Sequence, residues 1–254
     1  MPSVLKIYKV SLLLIIVLIL VYASQGYYPE VVAFFSNAFP PLLAGATVII
    51  SGFTLGKYWR KAEEKFSIIW LFFTCGLFFW FMGEVAWAGY TLILGVEVPY
   101  PSAADVFWIS GYIPFFFALL LYVKIFSPAI SWKMFAASTL ITVSLAVFAS
   151  ATLITPVLAA EEDLVTMVMD LAYPLLDVTL FSVAFLGLLI FWKGKIGKSW
   201  LLITMAILFT VCADMLFSYA TAQGTYYSGH IADLLFNLSY IFFLMAFYIH
   251  AKEF

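Results

Sequence analysis

Apolar residues run in long stretches along nearly the whole chain, separated by short polar breaks. The runs lie near 8–24, 40–56, 66–93, 102–123, 133–156, 164–192, 199–222 and 229–250. Most exceed the roughly 20 residues needed to cross a hydrocarbon core about 30 Å thick. The pattern predicts an all-α, polytopic integral membrane protein of about eight transmembrane helices, with 1–254 forming one membrane domain. The second run is the weakest, because Pro40 and Pro41 suit only the first turn of a helix.

The polar breaks set the orientation. Lys6 and Lys9 precede the first run, and Lys57, Arg60, Lys61 and Lys65 fill the break after the second. Lys124 and Lys133 flank the break after the fourth, Lys193, Lys195 and Lys198 follow the sixth, and Lys252 follows the eighth. With eight spans, all 12 basic residues fall on one side, which the positive-inside rule makes cytoplasmic. Both chain ends then face the cytoplasm of a multi-pass plasma-membrane protein. The opposite loops carry Glu30, Glu97 and the run Glu161, Glu162, Asp163. Trp59, Trp132, Trp192 and Trp200 fall at the cytoplasmic ends, and Tyr27, Tyr28, Tyr100, Tyr226 and Tyr227 at the outer ends, where amphipathic rings prefer the headgroup level. Two readings stay open for residues 1–24: a retained first span, or a signal peptide cleaved after Ala23.

Composition agrees. The chain is 65% hydrophobic and only 10% charged, against about a quarter charged in a soluble domain. A bilayer can accept that much apolar surface, because lipid-facing helix sides are also apolar. The net charge of −2 and the lack of a basic tail make nucleic acid an unsuitable partner. Cys75 and Cys212 lie in apolar runs and read as small buried hydrophobes, not as a disulfide or a metal clip.

A faint repeat emerges in the later spans. The fourth holds Asp105-x-x-Trp108-x-x-x-Tyr112, the eighth Asp233-x-x-Phe236-x-x-x-Tyr240, and the sixth Asp170-x-x-Tyr173-x-x-x-Asp177. Seven residues make almost two helical turns, so each set shares one face. The preceding spans repeat in two of three cases, with Glu84-x-x-Trp87 in the third and Asp214-x-x-Phe217 in the seventh. In the fifth, Ser150 stands where the acid would be. Residues 66–126, 133–192 and 199–252 therefore read as three related helical hairpins in parallel orientation.

The repeat draws attention to six carboxylates inside apolar runs: Glu84, Asp105, Asp170, Asp177, Asp214 and Asp233. No Lys or Arg shares those runs, and an intramembrane acid costs about 2.5–3.5 kcal/mol on the insertion scale. At the helical rise, five lie about 6–12 Å from the outer ends and Asp177 about 20 Å. They are expected to line one outward-facing pocket with Trp87, Trp108, Tyr112, Tyr173, Asn237 and Tyr240. Such acids can be protonated, coordinate a hard cation, or bind an organic cation against aromatic faces. The metal candidates are Glu84, Asp214, His230 and Asp233. The structural alternatives are helix capping by Asp105 and Asp233, and carboxyls that hydrogen-bond helices together.

Other chemistry is excluded. No span holds a lysine for a retinal Schiff base. His230 and His250 stand about 30 Å apart on one helix, too far to share a haem. Two histidines cannot make a three-histidine zinc site. No phosphate loop, nucleophile elbow or nucleophile–base pair of an enzyme is visible.

Gly83-Glu84…Trp87…Tyr90, then Pro101-Ser102-x-Ala104-Asp105-Val106-x-x-x-x-Gly111-Tyr112, form a recognisable stretch, as does Ala172-Tyr173-Pro174-Leu175-x-Asp177. Ala213-Asp214 and Gly229-x-x-x-Asp233 continue it. Together they resemble the multi-span N-terminal membrane region found ahead of GGDEF, EAL and other signalling domains in bacteria, over most of residues 60–250. The resemblance implies a sensory input module of unspecified ligand and supplies no catalytic residues. Here the sequence stops at Phe254 without an output domain, so a signal is expected to pass to a separate cytoplasmic or membrane partner. The leading expectation is a sensor or receptor-like module binding a cation or small polar ligand. The alternatives are a proton- or cation-coupled transporter, favoured by deep Asp177 and by Pro114 and Pro174, and a structural subunit of a membrane complex. The absence of any acid or base from the cytoplasmic half of the spans argues against a through-path.

Overall fold

A computed structural model describes residues 2–61, 63–155, 158 and 163–253. Residue 156 of the fifth run and the outer-loop acids Glu161 and Glu162 lie outside the described residues. Those described are overwhelmingly helical, without strands, and eight helices are long and apolar enough to cross a membrane. They are α1 (Pro2–Ala23), α2 (Pro29–Arg60), α3 (Glu64–Ala88), α4 (Ala103–Ile125), α5 (Trp132–Ala149), α6 (Leu164–Phe191), α7 (Gly197–Ala222) and α8 (Ile231–Glu253). Short π-helical segments, Gly89–Leu94 and Ser150–Ile154, extend α3 and α5.

Local sequence explains the ends. Ser102 and Asp105 form a reciprocal capping box at the start of α4. Asp163 caps α6 by accepting from the backbone N–H groups of Val165 and Thr166. The Thr166 hydroxyl, then its N–H, hold the Asp163 carboxyl below its usual range. Lys57 and Arg60 close α2, and Lys124 closes α4, at the ends where the helix dipole favours cations.

One element departs from expectation. The second run begins not at Pro40 but eleven residues earlier, at Pro29, and Pro40 and Pro41 sit inside the helix. Pro29 occupies the first turn that the proline pair was expected to fill. Interior prolines are tolerated in membrane helices because side chains and neighbours help satisfy the backbone. Pro40 and Pro41 remove the donors to the Ser36 and Asn37 carbonyls; one turn earlier, Asn37 Nδ2 donates to the Ala33 carbonyl at 2.7 Å and Ser36 Oγ to the same carbonyl at 2.9 Å. The extension brings Ser36 and Asn37 into the bundle, where both are buried.

Six helices close a ring in the order α2, α3, α4, α6, α7, α8 and back to α2. α1 lies outside the ring against α8, and α5 outside it against α6. Helix directions place all 12 Lys and Arg residues toward one end of the ring. That half of the ring's interior is packed with aromatic rings. Trp80 stacks on Phe115 at 5.1 Å, and Phe115 meets Phe73 and Phe243 at 5.2 Å each. Phe73 then meets Phe247, and Trp70 meets both Phe247 and His250.

This packing corrects three further expectations. Trp200 stands at the expected end of α7 but does not face outward; it is enclosed, filling the space beside Gly187. His250 is also buried in the basic half, with its Nε2 2.9 Å from the Tyr58 hydroxyl, so that half does hold a titratable group. Cys212 is exposed on α7 and Cys75 half-buried. Neither is the buried hydrophobe expected.

Candidate functional site

At the other end the ring opens into a cavity of about 1190 Å³. α7 lines it from Ala222 at the mouth to Thr210 at the floor, about 18 Å at the helical rise. Trp80, Tyr112, Ser239 and Tyr240 complete the floor, directly above the aromatic packing. Both π-helical segments border the cavity, through Thr91 and Leu92 and through Thr152 and Leu153.

Ten of the expected site residues converge on this cavity: Glu84, Trp87, Asp105, Trp108, Tyr112, Asp170, Tyr173, Asp214, Asp233 and Tyr240. Two do not line it. Asp177 is enclosed below the floor, and Asn237 points away to donate to the Tyr22 hydroxyl of α1 at 3.1 Å and to the Asp233 carbonyl. An α8 face wide enough to touch both the cavity and α1 explains why Asn237 was assigned to the wrong side.

Every one of the six acids meets a tyrosine hydroxyl. Tyr240 donates to Glu84 at 2.8 Å and Tyr173 to Asp105 at 2.9 Å. Tyr226 donates to Asp233 at 2.9 Å, and Tyr100 donates to Asp170. Tyr112 serves both Asp177, at 2.6 Å, and Asp214, at 3.1 Å. With no Lys or Arg in this half of the ring, phenols are the donors that satisfy buried carboxyls while adding no charge. Burial, then the Asp233 carboxylate beside it, push the Tyr226 phenol well above its usual range, so it keeps the hydrogen it donates.

The repeat has a three-dimensional counterpart. Hairpins α3–α4 and α7–α8 exchange hydrogen bonds reciprocally: Tyr112 of the first reaches Asp214 of the second, and Tyr240 of the second reaches Glu84 of the first. Asp105 and Asp233 each stand third in their helices and each accept from a backbone N–H of the preceding turn, Ser102 and Gly229 respectively, at 2.7 Å. Gly229 adopts φ 96°, which aims its N–H at the carboxyl. Capping is thus part of what these two acids do. The third hairpin fits less well. Asp170 lies deeper in its helix than Asp105 or Asp233, and α5 stays outside the ring.

If these reciprocal bonds act as pairs, a double-mutant cycle of Tyr240→Phe and Glu84→Gln should give a coupling energy of about 1 kcal/mol, within the range for interhelical bonds in membranes. Reversible unfolding in mixed micelles measures it, and additive effects would show that the contact carries no energy.

Several site residues escaped the sequence. Tyr100 and Tyr226 read as headgroup aromatics, yet their hydroxyls serve Asp170 and Asp233. Asn37 lay before the expected second span, and it accepts from the Trp87 indole at 2.9 Å. The signal was available in the donor count: six acids without a base require hydroxyl or indole partners. His230 caps α8, accepting at Nδ1 from the Ala232 N–H, and does not border the cavity. Among the described residues no group of three His, Cys, Asp or Glu side chains could hold a metal ion, so Glu84, Asp214, His230 and Asp233 form no chelating set. The repeat spaces these groups across two facing hairpins instead of gathering them.

Comparison with protein-family models, curated proteins and solved structures gives no match to this chain.

Proposed function

We propose that this chain is an integral membrane protein whose cavity binds a small organic cation from the outer side, as a receptor-like or sensory module. One observation carries the reading: Glu84, Asp105, Asp170, Asp214 and Asp233 line a cavity walled by Trp87, Trp108 and Phe217, and no Lys or Arg borders it. A cleft of one sign with low-dielectric walls concentrates the opposite charge, and aromatic faces add attraction for ammonium groups. Its volume suits an organic molecule better than a bare ion.

The bilayer placement rests on the eight apolar helices and on the gathering of all basic residues at the end away from the cavity. Under the positive-inside rule that end, with both termini, is cytoplasmic and the cavity opens outward. The aromatic packing beneath the floor supports binding without passage. The resemblance of most of residues 60–250 to bacterial membrane sensory regions points the same way, with occupancy relayed through helix shifts to a partner. A cation-coupled transporter is the second reading, favoured by the interior prolines Pro114 and Pro174 beside the acids.

Reconstitution into liposomes separates them. Radiolabelled spermidine, putrescine and tetramethylammonium are offered from each side. The receptor reading expects saturable binding of at least one probe with no counterflow. Counterflow would establish a transporter, and failure of all three to bind would leave the acids as helix-joining groups only.

A further inference from the structure

Beneath the cavity floor lies a constellation that the binding reading does not use. Asp177 of α6 is only 1% exposed and does not border the cavity, whereas Asp214 of α7 does. Their carboxyl groups meet at one phenol. Tyr112 of α4 stands between them, its Oη 2.6 Å from Asp177 Oδ1 and 3.1 Å from Asp214 Oδ2.

A phenol carries one hydrogen. The shorter contact directs it to Asp177, so the contact to Asp214 becomes a second hydrogen bond only if Asp214 supplies a hydrogen. Independently, Asp177 Oδ2 is fully enclosed and receives no bond from an N–H or O–H donor among the described residues. Two adjacent carboxylates without a counter-charge repel, whereas one hydrogen between them turns repulsion into a hydrogen bond.

The other titratable groups around the pair supply no positive charge. Asp177 meets Tyr112 of α4, and the Cys212 thiol of α7 is another titratable group that feels its charge. Asp214 faces Glu84 from α3, Tyr240 from α8 and Tyr173 from α6. No lysine or arginine lies in this half of the ring. The charge that joins the pair is therefore assigned to a hydrogen, because Asp177 is enclosed away from the cavity in which an ammonium group would sit.

We propose that Asp177, Tyr112 and Asp214 form a proton-binding site in which the two carboxyls hold one proton between them, with Asp214 as its contact to the aqueous cavity. Asp177 is the enclosed anchor, Tyr112 fixes the geometry, and Asp214 exchanges the proton with solvent. The site exists without any organic ligand, so it stands or falls separately from the cation-binding reading.

Infrared spectroscopy of the full chain in lipid nanodiscs tests it with no ligand present. Wild type labelled with [4-¹³C]aspartate is expected to show an isotope-shifted carboxylic acid C=O band that also moves on transfer to deuterium oxide. That band should disappear in Asp177→Asn and in Asp214→Asn, persist at a shifted frequency in Tyr112→Phe, and stay unchanged in Asp163→Asn. A band that survives both Asp177→Asn and Asp214→Asn would overturn the assignment. If those variants fail to fold, the labelled wild type still decides: no aspartic acid C=O band means no shared proton.

Discussion

Replacing Asp170 by asparagine is expected to weaken binding of an organic cation about tenfold to a hundredfold while leaving the unfolding midpoint nearly unchanged. Asp170 borders the cavity, is only half-buried, and neither caps a helix nor belongs to the Asp177–Asp214 pair. Its structural duty is to accept from Tyr100, and an asparagine carbonyl accepts equally well. What the substitution removes is the negative charge. A hydrogen bond to a charged group contributes about 1.5–3 kcal/mol, and each 1.4 kcal/mol is tenfold in affinity. Titration calorimetry with spermidine at low and physiological salt measures both the loss and its screening. Asp163→Asn serves as the control, because Asp163 caps α6 without bordering the cavity. Equal affinity in wild type and Asp170→Asn would remove this acid from the binding surface, and an equal loss in the control would show a general charge effect.

The acids were visible in the sequence because nothing else in an apolar run looks like them. Their partners were not. A tyrosine at the end of a span, such as Tyr226, satisfies the headgroup rule whether its hydroxyl meets lipid or Asp233, and sequence position alone cannot separate the two. The repeat was legible as spacing, and the structure adds that Tyr112 and Tyr240 cross between hairpins to Asp214 and Glu84. Spacing along one helix says which residues share a face but not which helix they face, so a reciprocal exchange was beyond reach. The count of eight helices followed from the charge breaks. The start of α2 did not, because Pro40 and Pro41 carry the same local signal in a first turn as in an interior that neighbouring helices support. Likewise the apolar content of α5 does not mark it as lying outside the ring, since a lipid-facing helix and a ring helix are equally apolar; its one distinguishing sign is Ser150 where an acid would stand.

A close helix crossing joins the two themes of ring and site. Gly111→Ala is expected to cost about 3 kcal/mol or more, the upper part of the range for overpacking, and to lower the yield of folded protein severalfold. A Cβ at Gly111 would stand 2.4 Å from the Trp80 ring and 2.8 Å from the Gly76 carbonyl oxygen of α3. Neither can give way cheaply. The carbonyl is helix backbone, and Trp80 is stacked on Phe115 and donates its indole N–H to the Trp108 carbonyl at 3.1 Å. The α3–α4 crossing depends on glycine at both 76 and 111, the small-residue packing by which membrane helices approach closely. Moving α4 outward would also carry Tyr112, the next residue, away from Asp177 and Asp214. Stability and the proton-holding pair should therefore fail together, with the midpoint and the aspartic acid C=O band changing in the same variant. Gly56→Ala on α2, where a Cβ meets nothing within 4 Å, should instead leave both intact and gain about 0.5–1 kcal/mol from reduced backbone freedom. If Gly111→Ala behaved like Gly56→Ala, the close crossing of α3 and α4 would be wrong, and with it the placement of Tyr112 between the two carboxyls.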